Sequence, residues 1–309
     1  MNPVNAWSSS SASVTDDHAT TQHQPAVLAL RERAHVIRRR IIQMVQALGH
    51  GYLGQGLGAA DIFTAVYFHE LERDPAQSAD AWLADPDRDR FVLSVGHYAI
   101  GLFSTLAELG VYSDEELATY GLDGSDIEQN ATEFVRGLEV TGGSLGQGLS
   151  QAIGMALGAR LGESEGRRPF RVYALVSDGE LQEGQVWEAL MSAAHYRLDN
   201  LVAIFDLNGL QADGPPSAIM AIEPVHEKLR AFGWNVSRVD GNDLPSLLAA
   251  FGEARRIKGQ PSAIVCDTLP GKGVPSVEVR EKVHYVRPRD PRELDGLLDE
   301  LEQEAAAWR

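Results

Sequence analysis

Residues 172–214 constrain the fold more than any other segment of the chain. An apolar, β-prone run over 172–176 is followed by a helical pattern over 183–196 and by a second apolar run over 201–205. Two strands joined by a helix predict a βαβ unit, in which the strands lie parallel. We therefore expect an α/β fold built on a parallel sheet.

Polar residues follow both strands of this unit. Ser177, Asp178 and Gly179 come after the first strand, and Asn208 follows the second. In open parallel sheets, ligands bind outside the carboxyl ends of the strands, where these residues would meet. A carboxylate, an amide oxygen and a backbone carbonyl suit Mg²⁺ or Ca²⁺ completed by phosphate oxygens. Two ordinary turns explain the spacing equally well, because Asp-Gly and Asn-Gly are common turn pairs.

The same segment resembles the thiamine-diphosphate motif of the transketolase family, which begins Gly-Asp-Gly and closes with Asn. The stretches 178–185 and 199–214 match the motif almost residue for residue, and Ser177 stands where the family usually has Gly. The resemblance implies thiamine diphosphate as the cofactor and Mg²⁺ or Ca²⁺ as its metal. The implied metal ligands are Asp178, Asn208 and the carbonyl of Leu210, and the implied cofactor contacts here are Ser177, Asp178, Gly179 and Asn208.

Two further motifs resemble the same family. Residues 91–95 predict a strand that leads into His97 within a Ser-x-Gly-His turn, and residues 141–148 read TGGSLGQG before a helix. A lone histidine is usually structural and glycine-rich helix starts are common, so each motif gains weight from the others. The resemblance implies that His97 reaches the cofactor. It places three residues against the cofactor rings: Gly143, Ser144 and Leu145.

Another family motif lies near the carboxyl end of the chain. A predicted strand over 262–267 leads into the Gly-Lys-Gly turn 271–273 and then to His284. In the family a histidine at this place reaches the diphosphate and the substrate, so His284 joins His97 as a cofactor-binding and catalytic candidate. The resemblance adds Glu183, which matches a buried glutamate thought to link paired active sites. The alternative for Glu183 is a solvated helix face.

The substrate histidines of the family are absent from their usual places. The glycine-rich loop 49–58 resembles the family's substrate loop, but a gap-free match puts Tyr52 at the histidine position and His50 two residues earlier. Asn130 occupies the second histidine position, and its amide can bond to a hydroxyl but cannot shuttle a proton. Tyr52, His50 and Asn130 are therefore the candidate substrate contacts.

The strands named above and a further one at 234–239, with helices between them, predict a doubly wound parallel sheet with helices on both faces. Residues 1–25 show no periodicity and predict a disordered tail. Residues 26–309 predict one thiamine-diphosphate-binding domain, which opens with an amphipathic helix over 26–48 and closes with an acidic helix over 291–309.

Charge and composition exclude several classes of partner. A net charge of −17 argues against nucleic acid or an anionic membrane as the main partner, because both require a basic face. The single cysteine, Cys266, excludes an intramolecular disulfide, and no apolar stretch is long enough to span a membrane. No secretory signal pattern is visible at the N-terminus. These features predict a cytoplasmic protein that acts on small molecules.

The family resemblance covers residues 27–290 and implies transfer of a two-carbon ketol unit from a ketose donor to an aldose acceptor. A full-length transketolase continues into a second domain that binds the pyrimidine ring of the cofactor, and this chain leaves no room for it. We therefore expect a split enzyme with a separate pyrimidine-binding subunit, assembled as an α2β2 heterotetramer. Two alternatives stay open: a 2-oxo-acid decarboxylating enzyme, which Tyr52 and Asn130 permit, and a non-catalytic cofactor-binding subunit.

Overall fold

The computed structural model describes residues 19–280 and 282–309. Within them, five strands form one sheet in the order β1-β2-β3-β5-β4, and every neighbouring pair is parallel. The strands are Arg90–Leu93 (β1), Val172–Ser177 (β2), Leu201–Leu207 (β3), Asn235–Asp240 (β4) and Ser262–Asp267 (β5). The predicted α/β fold on a parallel sheet is confirmed, with small shifts in the bounds of the strands.

The helices fill the connections between the strands. They are Ala19–Leu48 (α1), Leu53–Ala65 (α2), Ala79–Ala84 (α3), Ala99–Glu108 (α4), Asp114–Leu117 (α5), Gln147–Ser164 (α6), Gly184–His195 (α7), Pro216–Ile219 (α8), Val225–Ala231 (α9), Leu244–Arg256 (α10), Pro275–Glu278 (α11) and Leu297–Ala306 (α12). Short 3-10 turns cover Gly96–Tyr98, Gly179–Gln182 and Pro291–Leu294, and a π-turn covers Val66–Glu70. No helix in the described part of the chain is long and apolar enough to cross a bilayer.

Apolar cores cover both faces of the sheet, because successive side chains of a strand point to opposite faces. In β2, Tyr173 and Leu175 belong to the core that includes residues of α1, α2, α4 and α10. Ala174 and Val176 belong to the core that includes residues of α6, α7 and α9. Every residue of β2 and β3 is buried, which explains why both strands read as apolar runs interrupted only near their carboxyl ends, by Ser177 in β2 and Asp206 in β3.

The two ends of the predicted domain differ from expectation. The predicted tail falls outside the described residues as far as residue 18, but α1 begins at Ala19 and contains Pro25. Extending a helix is much easier than nucleating one, so the buried part of α1 can continue past a proline that removes one backbone hydrogen bond. The predicted helix over 291–309 is instead a 3-10 turn followed by α12, because Gly296 takes a left-handed conformation between them.

The sheet brings the carboxyl ends of β1, β2 and β3 to one edge. Ser177 of β2 pairs with Asp206 of β3, and the backbone nitrogen of Asp178 donates to the backbone oxygen of Asp206 at 3.1 Å. His97, Asp178 and Asn208 follow these three strands and therefore meet at this edge, as the sequence predicts.

Candidate active site

A cleft of about 500 Å³ opens over this edge of the sheet. It gathers most of the predicted site residues, which are Tyr52, His97, Asn130, Gly143, Leu145, Ser177, Asp178, Gly179, Glu183, Leu210 and His284. Three predicted residues do not line it: Asn208, His50 and Ser144. Asn208 contacts the cleft through Tyr98 and Leu210, whereas Ser144 is exposed to solvent.

Asp178 joins the loops that follow β2 and β3. Its Oδ1 accepts a hydrogen bond from the nitrogen of Gly179 at 2.8 Å, and its Oδ2 accepts one from the nitrogen of Gly209 at 3.1 Å. The side chain is only 3% exposed. Burial, followed by the nearby carboxylate of Asp206, raises the pKa of Asp178 to about 7. A nearby cation would stabilise the ionised form of this buried carboxylate.

The side-chain amide of Asn208 is held at both ends. Its Oδ1 accepts a hydrogen bond from the nitrogen of Leu210 at 2.9 Å, and its Nδ2 donates to the hydroxyl of Tyr98 at 2.7 Å. Tyr98 donates in turn to the Asp206 carboxylate at 2.6 Å. Sequence reasoning missed Tyr98 and Asp206, although an acidic residue inside the apolar strand β3 was a visible signal.

The donor set at this edge fits a divalent ion that carries a diphosphate. Asp178, Asn208 and the carbonyl of Leu210 offer hard oxygen atoms, which Mg²⁺ and Ca²⁺ prefer. Within the described chain, no group of three or more His, Cys, Asp or Glu residues is placed to hold a metal, so amide and carbonyl oxygens would have to complete such a site. As far as the structure describes the cleft, no Lys or Arg lines it. A diphosphate bound here would therefore find no cationic side chain among the described lining residues to neutralise it.

Two imidazoles and a phenol form the other wall of the cleft. The ring centres of His97 and His284 lie 5.0 Å apart, and Tyr52 lies 5.1 Å from His97 and 5.9 Å from His284. Burial and the neighbouring His284 lower the pKa of His97 to about 3, and burial lowers the pKa of His284. Both rings are therefore neutral at pH 7. The Nδ1 atom of His284 is buried and has no hydrogen-bond partner within the described chain, which leaves it available to a ligand.

Glycines allow two of the motifs to touch. A Cβ atom on Gly142 would lie 2.4 Å from the Cα of Gly96, and a Cβ atom on Gly96 would lie 2.4 Å from the nitrogen of Gly143. No side chain fits in either place, so the turn before α6 can lie against the turn that carries His97 only because these residues are glycines.

The carboxylate of Glu180 forms hydrogen bonds to three segments that surround the cleft. The side chain is 0% exposed and accepts hydrogen bonds from Ser94 Oγ at 2.5 Å, from the Gly146 nitrogen at 2.8 Å and from the Ser177 nitrogen at 3.0 Å. These donors lie after β1, before α6 and at the end of β2. The residue belongs to the Asp-Gly-Glu motif after β2, but no local pattern indicates these long-range partners.

The candidate substrate residues separate into two layers. Tyr52 and Asn130 line the cleft, but His50 does not. His50 Nδ1 lies 2.5 Å from the hydroxyl of Tyr285, and that hydroxyl donates to Gln129 Oε1 at 3.0 Å. Tyr285 packs edge-on against Tyr52 at 4.8 Å between ring centres. His50 thus contacts Tyr285, which supports the cleft wall.

Glu183 lies at the margin of the cleft. Its side chain is exposed in the chain described here, whereas the family resemblance implies a buried glutamate at this position. The residue directly precedes α7 as its N-cap, and its side chain makes no capping hydrogen bond to that helix.

Comparisons with known proteins agree with the geometry. The family model described as "Transketolase, thiamine diphosphate binding domain" matches residues 30–290. The chain is 46% identical to a putative uncharacterized transketolase family protein, y4mO, of Sinorhizobium fredii, covering 88% of this chain and 96% of that protein. It is 36% identical to the 6-deoxy-6-sulfo-D-fructose transketolase subunit SqwG of a Clostridium species, covering 90% of this chain and 98% of that protein.

Solved structures show the same relation to longer proteins. The transketolase from Leishmania mexicana superposes with a TM-score of 0.76 at 28% identity. The match covers 90% of this chain but only 45% of the Leishmania chain. The chain therefore spans less than half of that transketolase, while it spans nearly all of the two shorter relatives.

Proposed function

Because this chain belongs to the transketolase family, with the thiamine diphosphate binding domain as its matched part, we propose that it is the cofactor-binding subunit of a transketolase-type transferase. The reaction would move a two-carbon ketol unit from a ketose, or ketose phosphate, to an aldose. The observation that carries this proposal is the meeting of Asp178 and Asn208 at one sheet edge, beneath a cleft walled by His97 and His284.

Asp178, the Oδ1 atom of Asn208 and the carbonyl of Leu210 would hold Mg²⁺, or Ca²⁺ in its place, and the metal would bind the diphosphate. When bound, thiamine diphosphate supplies a thiazolium ring that acts as an electron sink. Ser177, Gly179 and Gly143 are the small residues that let the cofactor approach the backbone.

The neutral imidazoles of His97 and His284 can form hydrogen bonds to the hydroxyl groups of a substrate. Each neutral ring has one N–H donor and one acceptor nitrogen, so His97 and His284 can polarise a substrate hydroxyl or relay a proton by donating and accepting hydrogen bonds. Tyr52 presents a phenol between them, and Asn130 presents an amide. These two side chains can orient hydroxyl groups of a sugar, but they do not exchange protons near neutral pH.

A second polypeptide would complete the active site. The two relatives that this chain covers almost entirely are of similar length, and one of them is named a transketolase subunit. The partner would be a pyrimidine-binding transketolase subunit, assembled with this chain as an α2β2 heterotetramer in the cytoplasm. Glu183, exposed beside the cleft, is in a position to be covered by that assembly.

Co-expression with a pyrimidine-binding partner subunit tests the proposal. The complex, supplied with thiamine diphosphate and Mg²⁺, should cleave ketose phosphates without releasing CO₂, and Asp178→Ala and Asn208→Ala should abolish this activity. Asp123→Ala, which removes an exposed carboxylate outside the cleft, serves as the control. Release of CO₂ from pyruvate would favour the 2-oxo-acid alternative, and inactivity with every donor would favour a non-catalytic subunit.

A further inference from the structure

A chain of buried hydrogen bonds lies beneath the proposed metal ligands. Thr268 Oγ1 donates to Asp206 Oδ1, and the hydroxyl of Tyr98 donates to Asp206 Oδ2 at 2.6 Å. The side-chain amide of Asn208 donates to the oxygen of Tyr98 at 2.7 Å. Tyr98 and Asp206 are each 1% exposed, so bulk water does not compete for these bonds.

Asp206 sets the direction of this chain. Both carboxylate oxygens of Asp206 accept hydrogen bonds, Oδ1 from Thr268 and Oδ2 from Tyr98, so Tyr98 gives its single hydroxyl proton to Asp206. The Tyr98 oxygen then offers only lone pairs, and it selects the NH₂ end of the Asn208 amide. The oxygen end of that amide must point the opposite way.

We propose that Tyr98 and Asp206 are positioning residues that hold the Asn208 amide with its oxygen toward the divalent ion, an inference that rests on the proposed function. An asparagine binds a metal through its oxygen, and a rotated amide would present an NH₂ group that cannot coordinate a cation. The backbone nitrogen of Leu210 favours the same orientation at 2.9 Å. Tyr98 holds the amide from outside that loop. Its hydroxyl is bonded in turn to Asp206, which belongs to β3 of the central sheet.

Hydroxyl and ring have different roles in Tyr98, and single substitutions separate them. Tyr98→Phe keeps the buried ring, which packs against His97 at 5.1 Å, and removes only the hydroxyl. Asp206→Asn tests the direction of the chain, because an amide can donate to Tyr98 and so reverse both bonds.

Tyr173→Phe is the matched control. Its hydroxyl is also on a tyrosine that is 1% exposed, and it also donates to a buried carboxylate, that of Glu70, at 3.3 Å. Tyr173 lies near the amino end of β2, at the opposite edge of the sheet from the cleft.

Mn²⁺ in place of Mg²⁺ gives a binding measurement that needs no turnover. The full-length chain is titrated with Mn²⁺ in the presence of thiamine diphosphate, and free Mn²⁺ is followed by electron paramagnetic resonance. Tyr98→Phe and Asp206→Asn should raise the metal dissociation constant about 10–100-fold, the range measured for partners of metal ligands. Stoichiometry at saturation should stay the same, and Tyr173→Phe should bind as the unmodified chain does.

Hydrogen exchange of the Asn208 side-chain amide, followed by NMR without cofactor, gives a second measurement. Exchange should be slow in the unmodified chain and fast in Tyr98→Phe. Equal exchange in both, or unchanged Mn²⁺ affinity in Tyr98→Phe, would overturn the positioning role and leave the proposed function intact. If the unmodified chain bound neither Mn²⁺ nor thiamine diphosphate even in complex with a pyrimidine-binding partner subunit, the proposed function would fall instead, and the exchange rates would still decide whether Tyr98 holds the amide. Should Tyr98→Phe fail to fold, Asp206→Asn and exchange in the unmodified chain decide the question.

Discussion

Glu180 yields a prediction about what holds the walls of the cleft together. Its carboxylate accepts three hydrogen bonds, two from backbone nitrogens and one from Ser94. Burial raises the pKa of Glu180, and the three donors oppose that rise because they stabilise the ionised form. Removing this carboxylate should loosen three segments that meet at the cleft while leaving the sheet intact.

The loss of stability expected for Glu180→Ala follows from the hydrogen-bond donors that are left without an acceptor. Each buried donor that loses its acceptor costs about 1–3 kcal/mol. Because water can enter the vacated space and satisfy part of this demand, we expect a total loss of about 3–5 kcal/mol in the free energy of unfolding. At about 2 °C per kcal/mol for a domain of this size, the melting temperature should fall by about 6–10 °C.

Glu180→Gln should cost less, for a reason that the geometry makes specific. The glutamine oxygen can still accept from Ser94 and from the nitrogen of Gly146, which share one carboxylate oxygen. Its NH₂ group then faces the N–H of Ser177, and one buried donor is left unpaired. We expect a loss of about 1–2 kcal/mol in the free energy of unfolding, because only one bond is replaced by a donor–donor contact.

Thermal unfolding of the purified full-length variants measures these effects, with Glu188→Gln as the control. Glu188 is an exposed glutamate of α7 outside the cleft, so its variant should melt like the unmodified chain. Titration with thiamine diphosphate and Mg²⁺ should show weaker binding to Glu180→Ala, since the loops it ties together wall the cleft. If Glu180→Ala melted with the control, or if Gln were as damaging as Ala, the reasoning would be refuted.

Chelation of divalent ions with EDTA should abolish binding of thiamine diphosphate in calorimetry, because the residues described as lining the cleft include no Lys or Arg; binding that survives would contradict this. His97 should stay neutral between about pH 5 and 8, since burial and His284 lower its pKa to about 3, and its imidazole NMR shifts should be constant there. For the same reason its contribution to stability should decline as the pH falls below the unfolded-state pKa of about 6.5, because the unfolded chain then binds more protons, and His97→Gln should remove that dependence. Gly142→Ala should lower both melting temperature and cofactor affinity, because the new Cβ would lie 2.4 Å from Gly96, whereas Gly154→Ala, which meets open space, should lower neither.

Local patterns were sufficient to predict the sheet and the edge where the site lies. β2 and β3 are buried on both faces and therefore read as apolar runs over 172–176 and 201–205, and the polar residues Asp178 and Asn208 follow shortly after them. Parallel pairing then dictates that these ends meet. The observed bounds of helices differ from the predicted ones where a turn residue interrupts the periodic pattern, as the left-handed Gly296 does.

Contacts between distant segments were not predictable in this way. His50 and Tyr285 are 235 positions apart, and the bond between them places His50 behind the cleft wall. Tyr98 and Asp206 are 108 positions apart, and neither residue type signals its partner. Such contacts depend on how helices and loops pack over the sheet, and that arrangement is a property of the whole fold.

The charges around the cleft indicate which groups bind the diphosphate and which bind an anionic group of the donor. Asp178, Glu183 and Asp213 line it, His97 and His284 are neutral, and no Lys or Arg is among the lining residues that the structure describes. A metal ion can neutralise the diphosphate, but it is then no longer free to pair with an anionic group on the sugar. We therefore expect the phosphate, or any other anionic end of a donor, to be bound by cationic groups outside this cleft, with the proposed partner subunit as their source.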